Sequence, residues 1–262
     1  MKTRYPIVLV HGLAMRDTFF MKSWGSIDRI LRIQGYEVYK SQIDAFGTVK
    51  TNAAQLKEEI LTVLRETGAD KVNIIAHSKG GLDAKYMIRY LEMAPYVASL
   101  TTLCTPHAGS PIASFILRFP KPAVKYVAFW VNTAYRVLGD QHPDSFAACE
   151  ELKRTQHLET ETMNLADGIL CQSFSSTIQT GKGKRDFVMT IPHIFSRFIE
   201  KDRLTDGLVP RDSAIFGHYR GDCLDESVSH TEIVDFMVRS KKRDKILSFY
   251  SALCEELVHE GL

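Results

Sequence analysis

Ten residues constrain the fold of this chain more than any others: Asn73-Ile-Ile-Ala-His-Ser-Lys-Gly-Gly-Leu82. A short apolar run from Val72 to Ala76 leads through His77-Ser78-Lys79-Gly80-Gly81 into a helical pattern. That order reads as strand, sharp turn, helix. In this setting a small-residue-x-Ser-x-Gly match is a nucleophile elbow, which holds a serine in a strained turn with its hydroxyl exposed above a sheet edge. Strand and helix pass close together there, so small residues are needed on both sides. Ala76 and Gly80 supply them, and Ala76 is a mild departure because glycine is commoner at that position. The plain alternative for Ser78 is a surface serine that caps a helix. The surrounding sequence decides between the two.

Tyr5-Pro-Ile-Val-Leu-Val10 is β-branched and apolar, which suits a strand buried on both faces of a parallel sheet. It ends at His11-Gly12-Leu13. Acyl transfer at an elbow serine needs two backbone N–H groups aimed at the developing oxyanion. One is expected from Lys79, the residue after the serine, and the other from Leu13. Gly12 gives the backbone the freedom to turn the second donor inward.

A serine nucleophile also needs a base and a carboxylate to orient that base. In chain order the acid precedes the histidine. Asp206-Gly-Leu-Val-Pro210 offers an aspartate at a glycine turn, and Ser227-Val-Ser-His-Thr-Glu232 offers a histidine in a polar loop just before an apolar helical pattern (Ile233, Phe236, Met237). The chain has nine histidines. Of these, His230 alone follows a suitable acid in a suitable loop. Asp206 is preferred over Asp202 and Asp212 because only it has the Asp-Gly-Leu-Val setting. The expected catalytic set is Ser78, Asp206 and His230, with Leu13 and Lys79 as oxyanion donors.

Five segments together resemble the bacterial triacylglycerol lipases of the α/β-hydrolase superfamily: residues 5–13, 76–81, Thr101-Thr-Leu-Cys-Thr-Pro-His-Ala-Gly-Ser110, 206–210 and 229–232. The resemblance implies an α/β fold with a mostly parallel central sheet flanked by helices. It implies a serine hydrolase that cleaves carboxylic esters of acylglycerols through an acyl-enzyme. A short- to medium-chain carboxylesterase, or an acyltransferase, is the alternative, and a non-catalytic binding protein a third reading. Many relatives in that family carry a structural calcium near the histidine. Here the expected ligand positions hold Glu232 and Phe236, with Asp186 as a remote carboxylate, so calcium is a minor expectation and no cofactor is required.

With a net charge of +2, the chain lacks the basic surface of a nucleic-acid binder. It has no apolar run long enough to cross a membrane. The expected partners are a lipid or ester substrate and a transient lipid interface. Met1 runs almost directly into the first strand without a charged-then-apolar leader, which predicts a cytoplasmic protein, with a trimmed secreted form as the alternative. Five scattered cysteines do not form a disulfide framework; one pair, such as Cys171 with Cys223, stays open.

A single domain over 1–262 is expected. Strand and helix alternate in its first half, with strands at 37–43 and 99–104 and helical faces around Ile27–Leu31 and Leu56–Leu64. Strand character resumes over 168–178 and 186–189, and Ile246, Tyr250, Leu253 and Leu257 mark a closing amphipathic helix. Between 111 and 164 the rhythm breaks. Val124, Tyr126, Val127, Phe129, Trp130, Tyr135 and Val137 surround a helix rather than line one face, so that helix must be buried or must meet something apolar. A lid over the acyl site is expected, with a fixed cap as the alternative.

Overall fold

The computed structural model describes residues 2–19, 21–153, 165, 167–179, 194, 204–238 and 240–262. Six strands form one sheet: β1 (Ile7–Val10), β2 (Val38–Lys40), β3 (Val72–His77), β4 (Val97–Leu103), β5 (Leu170–Ser175) and β6 (His218–Asp222). Their order is β2-β1-β3-β4-β5-β6, and every neighbouring pair runs parallel. Helices α1 (Ile27–Ile33), α2 (Val49–Thr67) and α3 (Lys79–Tyr90) connect the early strands, and α7 (Ser240–His259) closes the chain.

The apolar runs are continuous because the sheet is covered on both faces. Successive residues of one strand feed opposite cores. Ile7 and Leu9 join Trp24, Ile27, Leu31 and Tyr250 beneath α1 and α7. Val8 and Val10 join Leu56, Ile60 and Met87 beneath α2 and α3. Thr48 opens α2 by accepting a hydrogen bond from the Thr51 N–H, and Gly68 ends it in a left-handed conformation (φ 71°) that a side chain would resist.

The chain leaves β1 toward β2 on one side and returns to β3 on the other. The direction of winding therefore reverses between β1 and β3. In open parallel sheets, the crevice at the carboxyl ends of such strands is where ligands bind. The carboxyl end of β1 carries His11-Gly12-Leu13, and that of β3 carries Ser78.

Two expectations need adjustment. The second strand is Val38–Lys40 rather than 37–43, although the Ser41 N–H still bonds the Leu9 carbonyl. The helical pattern after His230 yields only a 3₁₀ turn, Glu232–Val234, because Asp235 and Met237 adopt positive φ (60° and 55°). Asp235 is held there by bonds to Ser26 and Arg243. A strand at 186–189 lies outside the described residues.

The segment between β4 and β5 forms α4 (Pro111–Ile116), α5 (Lys121–Val137) and α6 (Ser145–Glu151). Within α5 only Ala128 is buried, so its all-round apolar pattern meets solvent rather than core. No described helix is long and apolar enough to cross a membrane.

Candidate active site

The site begins with a backbone constraint. Ser78 has φ 54° and ψ −132°, a conformation that non-glycine residues rarely adopt and that persists only where neighbours impose it. Its N–H bonds the Leu103 carbonyl of β4 at 2.9 Å, and its own carbonyl accepts from Gly81 N–H at 3.1 Å. The flanking glycines are required by contact. A Cβ on Gly80 would lie 2.4 Å from the His11 carbonyl oxygen, and one on Gly12 would lie 2.6 Å from Ser78 Cβ. The early loop thus packs directly against the serine.

Three side chains far apart in sequence meet here. His230 Nδ1 lies 2.7 Å from Asp206 Oδ2, and His230 Nε2 lies 2.9 Å from Ser78 Oγ. A carboxylate can only accept, so Nδ1 carries the imidazole proton and Nε2 is left to accept from the serine hydroxyl. Asp206 is held from its other side: Oδ1 accepts from the N–H groups of Leu208 (2.9 Å) and Val209 (2.7 Å). The Asp-Gly-Leu-Val turn therefore fixes the carboxylate through contacts of its own, independent of the histidine. The His230 N–H also bonds the Asp206 carbonyl, at 3.0 Å, so acid and base are joined through backbone and side chain alike. Both are buried, while Ser78 is half-buried and open to a reactant.

Lys79 is the first residue of α3, where the backbone N–H has no acceptor within the helix. Leu13 sits in a tight loop between the Gly12 carbonyl, which accepts from Met15 N–H, and Ala14, whose N–H bonds the Ala45 carbonyl. The Lys79 side chain turns away from solvent. Its Nζ lies 2.6 Å from Asp83 Oδ1, and Asn52 Nδ2 donates to the other oxygen at 3.2 Å. Burial raises Asp83 to about 6, against the pull of Lys79. This pair anchors the first turn of α3 behind the serine.

Two residues near the site were passed over in the sequence. His77 Nε2–H donates to the His230 carbonyl at 3.0 Å and so clips the base loop to the elbow strand. Burial, helped by the neighbouring His230, keeps its pKa well below the ordinary 6.5. Cys104 sits at φ 52° with its sulfur within 4.8 Å of ligand atoms of both Asp206 and His230. A hydrogen bond with Cys223 and burial push its thiol well above the usual range, so it packs as a neutral group. No spacing rule points to either residue. All five cysteines are free thiols, including Cys171 and Cys223.

The residues flanking His230 do not make a calcium site. Both Glu232 oxygens lie 2.7 Å from Lys242 Nζ, and Oε2 also accepts from Ser229 N–H. Ser229 Oγ in turn accepts from Glu232 N–H, which completes a capping box. An ammonium group thus stands where a hard cation would be held, and Phe236 offers no oxygen donor in place of an amide. Asp186 lies outside the described residues.

Fold and site together define an α/β-hydrolase fold with a hydrogen-bonded Ser–His–Asp constellation. The profile of the family described as "Putative serine esterase (DUF676)" matches residues 5–139, and the chain belongs to that family. It is 35% identical over 173 residues to a triacylglycerol lipase of Pseudarthrobacter phenanthrenivorans, covering 62% of this chain and 53% of that one. A triacylglycerol lipase of Burkholderia plantarii matches at the same identity and length, over 62% of this chain and 48% of its own. The chain thus spans about half the length of the curated relatives it matches. Among solved structures, a metagenomic carboxyl esterase superposes with a TM-score of 0.72 at 18% identity, over 97% of this chain and 76% of that one. A Bacillus licheniformis lipase in its mature form gives 0.62 at 19%, over 88% and 86%. At these identities the superpositions speak for the fold.

Proposed function

We propose that the protein hydrolyses carboxylic esters of acylglycerols through an acyl-enzyme formed on Ser78. The observation that carries this reading is the unbroken line of bonds from Ser78 Oγ through His230 to Asp206, set in a positive-φ elbow. His230 Nε2 takes the hydroxyl proton as Oγ attacks the ester carbonyl. The N–H groups of Leu13 and Lys79 receive the oxyanion. The imidazolium, steadied by Asp206, then protonates the departing alcohol. Water then attacks the acyl carbon as Nε2 takes its proton, and the imidazolium returns that proton to Ser78 Oγ as the carboxylic acid leaves.

The acylglycerol substrate is supported by the two lipases that share 35% of their aligned residues with this chain. It is supported also by the apolar insertion beside the site, which we read as a cap or lid over the acyl group. One set of contacts favours a shorter acyl chain under a fixed cap. Tyr135 Oη donates to the Ala14 carbonyl at 3.2 Å, and Asp140 accepts from the N–H groups of Ala45 and Phe46 at 3.0 Å each. Arg16 adds bonds to Gly139 and Asp140. The carboxyl end of α5 is therefore fastened beside the oxyanion loop.

Ser78→Ala is expected to abolish labelling by a serine-reactive phosphonate while the circular dichroism spectrum stays unchanged. Labelling that survives on another serine overturns the assignment. A chain-length series of nitrophenyl esters, run dispersed and emulsified, separates the two substrate readings. A rise in rate with acyl length and at the emulsion supports the lipase and a moving lid; a fall beyond short chains supports the esterase.

A further inference from the structure

We propose that α5 is a docking helix for bilayers that expose anionic lipid headgroups. The inference rests on the ester-hydrolase reading for its purpose, and deepens it by naming the surface from which substrate is drawn. From Pro111 through Gly139 the chain has no Asp or Glu, while Arg118, Lys121, Lys125 and Arg136 all fall within it. The whole protein carries only +2, so this one segment is more basic than the molecule as a whole.

The same segment bears the largest bare aromatic surface among the described residues. Tyr126, Phe129 and Trp130 expose 66%, 59% and 56% of their area, and Val137 84%. Tyr126 and Trp130 lie one turn apart, and Val137 follows two turns on, so they share a stripe. The Trp130 ring stands edge-on to those of Phe129 and Tyr126. Phe119 and Ile116 extend the apolar surface toward α4. Aromatic side chains interleaved with cations, on a helix too short and too polar to span, describe an element that lies in the headgroup plane.

Charge selects the occupant. A second copy of this chain would bring an equally basic α5 against the first, with no carboxylate on either helix to offset the repulsion. An anionic bilayer satisfies both the cations and the apolar stripe. The position fits as well. The carboxyl end of α5 is bonded to Ala14, next to Leu13, which keeps the helix close to the oxyanion loop.

The test uses the full chain as Ser78→Ala, which leaves vesicle lipids intact, so its result does not depend on whether the protein hydrolyses them. Flotation is measured with vesicles of phosphatidylcholine and with an equimolar phosphatidylcholine–phosphatidylglycerol mixture. Binding is expected to be at least about tenfold tighter to the mixture and to weaken by a similar factor at ~0.5 M salt. The protein has two tryptophans, and Trp24 is fully buried, so a blue shift of emission on binding reports Trp130; Trp130→Phe should lose the shift and keep the binding. Lys121→Glu with Arg136→Glu should reduce binding about tenfold or more, and Phe129→Ser with Trp130→Ser should reduce it independently of salt. Circular dichroism checks that each variant is folded. Equal binding to both vesicles, no binding to either, or self-association that the charge reversals abolish would each overturn the proposal. Phosphonate labelling of the unmodified chain tests the hydrolase reading separately.

Discussion

The carboxyl edge of the sheet and the insertion after β4 solve opposite problems. At the edge the packing around Ser78 is tight: glycines stand where a methyl would collide, and the acid is gripped by two N–H groups as well as by the base. In α5 most apolar side chains face outward; the helix is tied at its carboxyl end by Tyr135 and further back by Asn132, whose Oδ1 accepts from Ser145 N–H. The difference teaches where each region gets its stability. The edge is stabilised by close packing and buried polar bonds within the chain, so it is already arranged for reaction. The insertion leaves apolar area exposed among the described residues, the surface to which the docking proposal assigns a lipid partner.

The largest expected effect breaks the edge. Asp206→Asn keeps the turn but reverses the sense of the bond to His230 Nδ1, which leaves the proton on Nε2. Turnover is expected to fall about 10³- to 10⁴-fold with little change in KM, measured on a soluble ester. A milder break comes from backbone crowding. Gly12→Ala places a methyl 2.6 Å from Ser78 Cβ and should lower kcat on the order of a hundredfold, since small displacements of a reacting group are costly. An unchanged kcat would mean that the edge yields as readily as the insertion.

The next test concerns the loop that delivers His230. Because Lys242 neutralises Glu232, a calcium chelator is expected to leave activity and Tm unchanged. Lys242→Met should cost about 1–3 kcal/mol by leaving a mostly buried carboxylate without its cation, read as a Tm lower by several degrees. Chelator sensitivity would overturn the internal-cation account.

The smallest effect is a pH slope. His11, His77 and His107 are buried neutral, and burial lowers His107 from the ordinary 6.5 to about 3. For a base whose folded pKa is depressed, stability is fully present above 6.5 and is lost as pH falls from there toward the folded value. Denaturant midpoints should decline below pH 6.5, and His107→Gln should flatten that decline. A midpoint independent of pH over this range would argue against burial as the cause.

The contrast between the regions also explains what was legible in the sequence. Ala76, Gly80 and Gly12 are dictated by local contacts, so their pattern points at Ser78 directly. His230 and Asp206 were reachable because their loops have short-range signatures, a glycine turn and a polar run before apolar residues. Helix and strand periods disclosed the two-sided core. His77 and Cys104 escaped because their parts depend on partners 153 residues away and on a thiol pair, which no local pattern encodes. For α5, apolar residues on all sides name no direction, so the sequence says only that the helix is buried or meets something apolar. Met237 misled the reading of the loop after His230, because Asp235 is drawn out of the helix by Ser26 and Arg243.

The bond between Ser78 and His230 joins positions 152 apart. During synthesis, the hydroxyl therefore waits without a base until most of the polypeptide has left the ribosome and the last loop has docked. Under the proposed mechanism, a copy in which that loop has not docked holds a serine without its base.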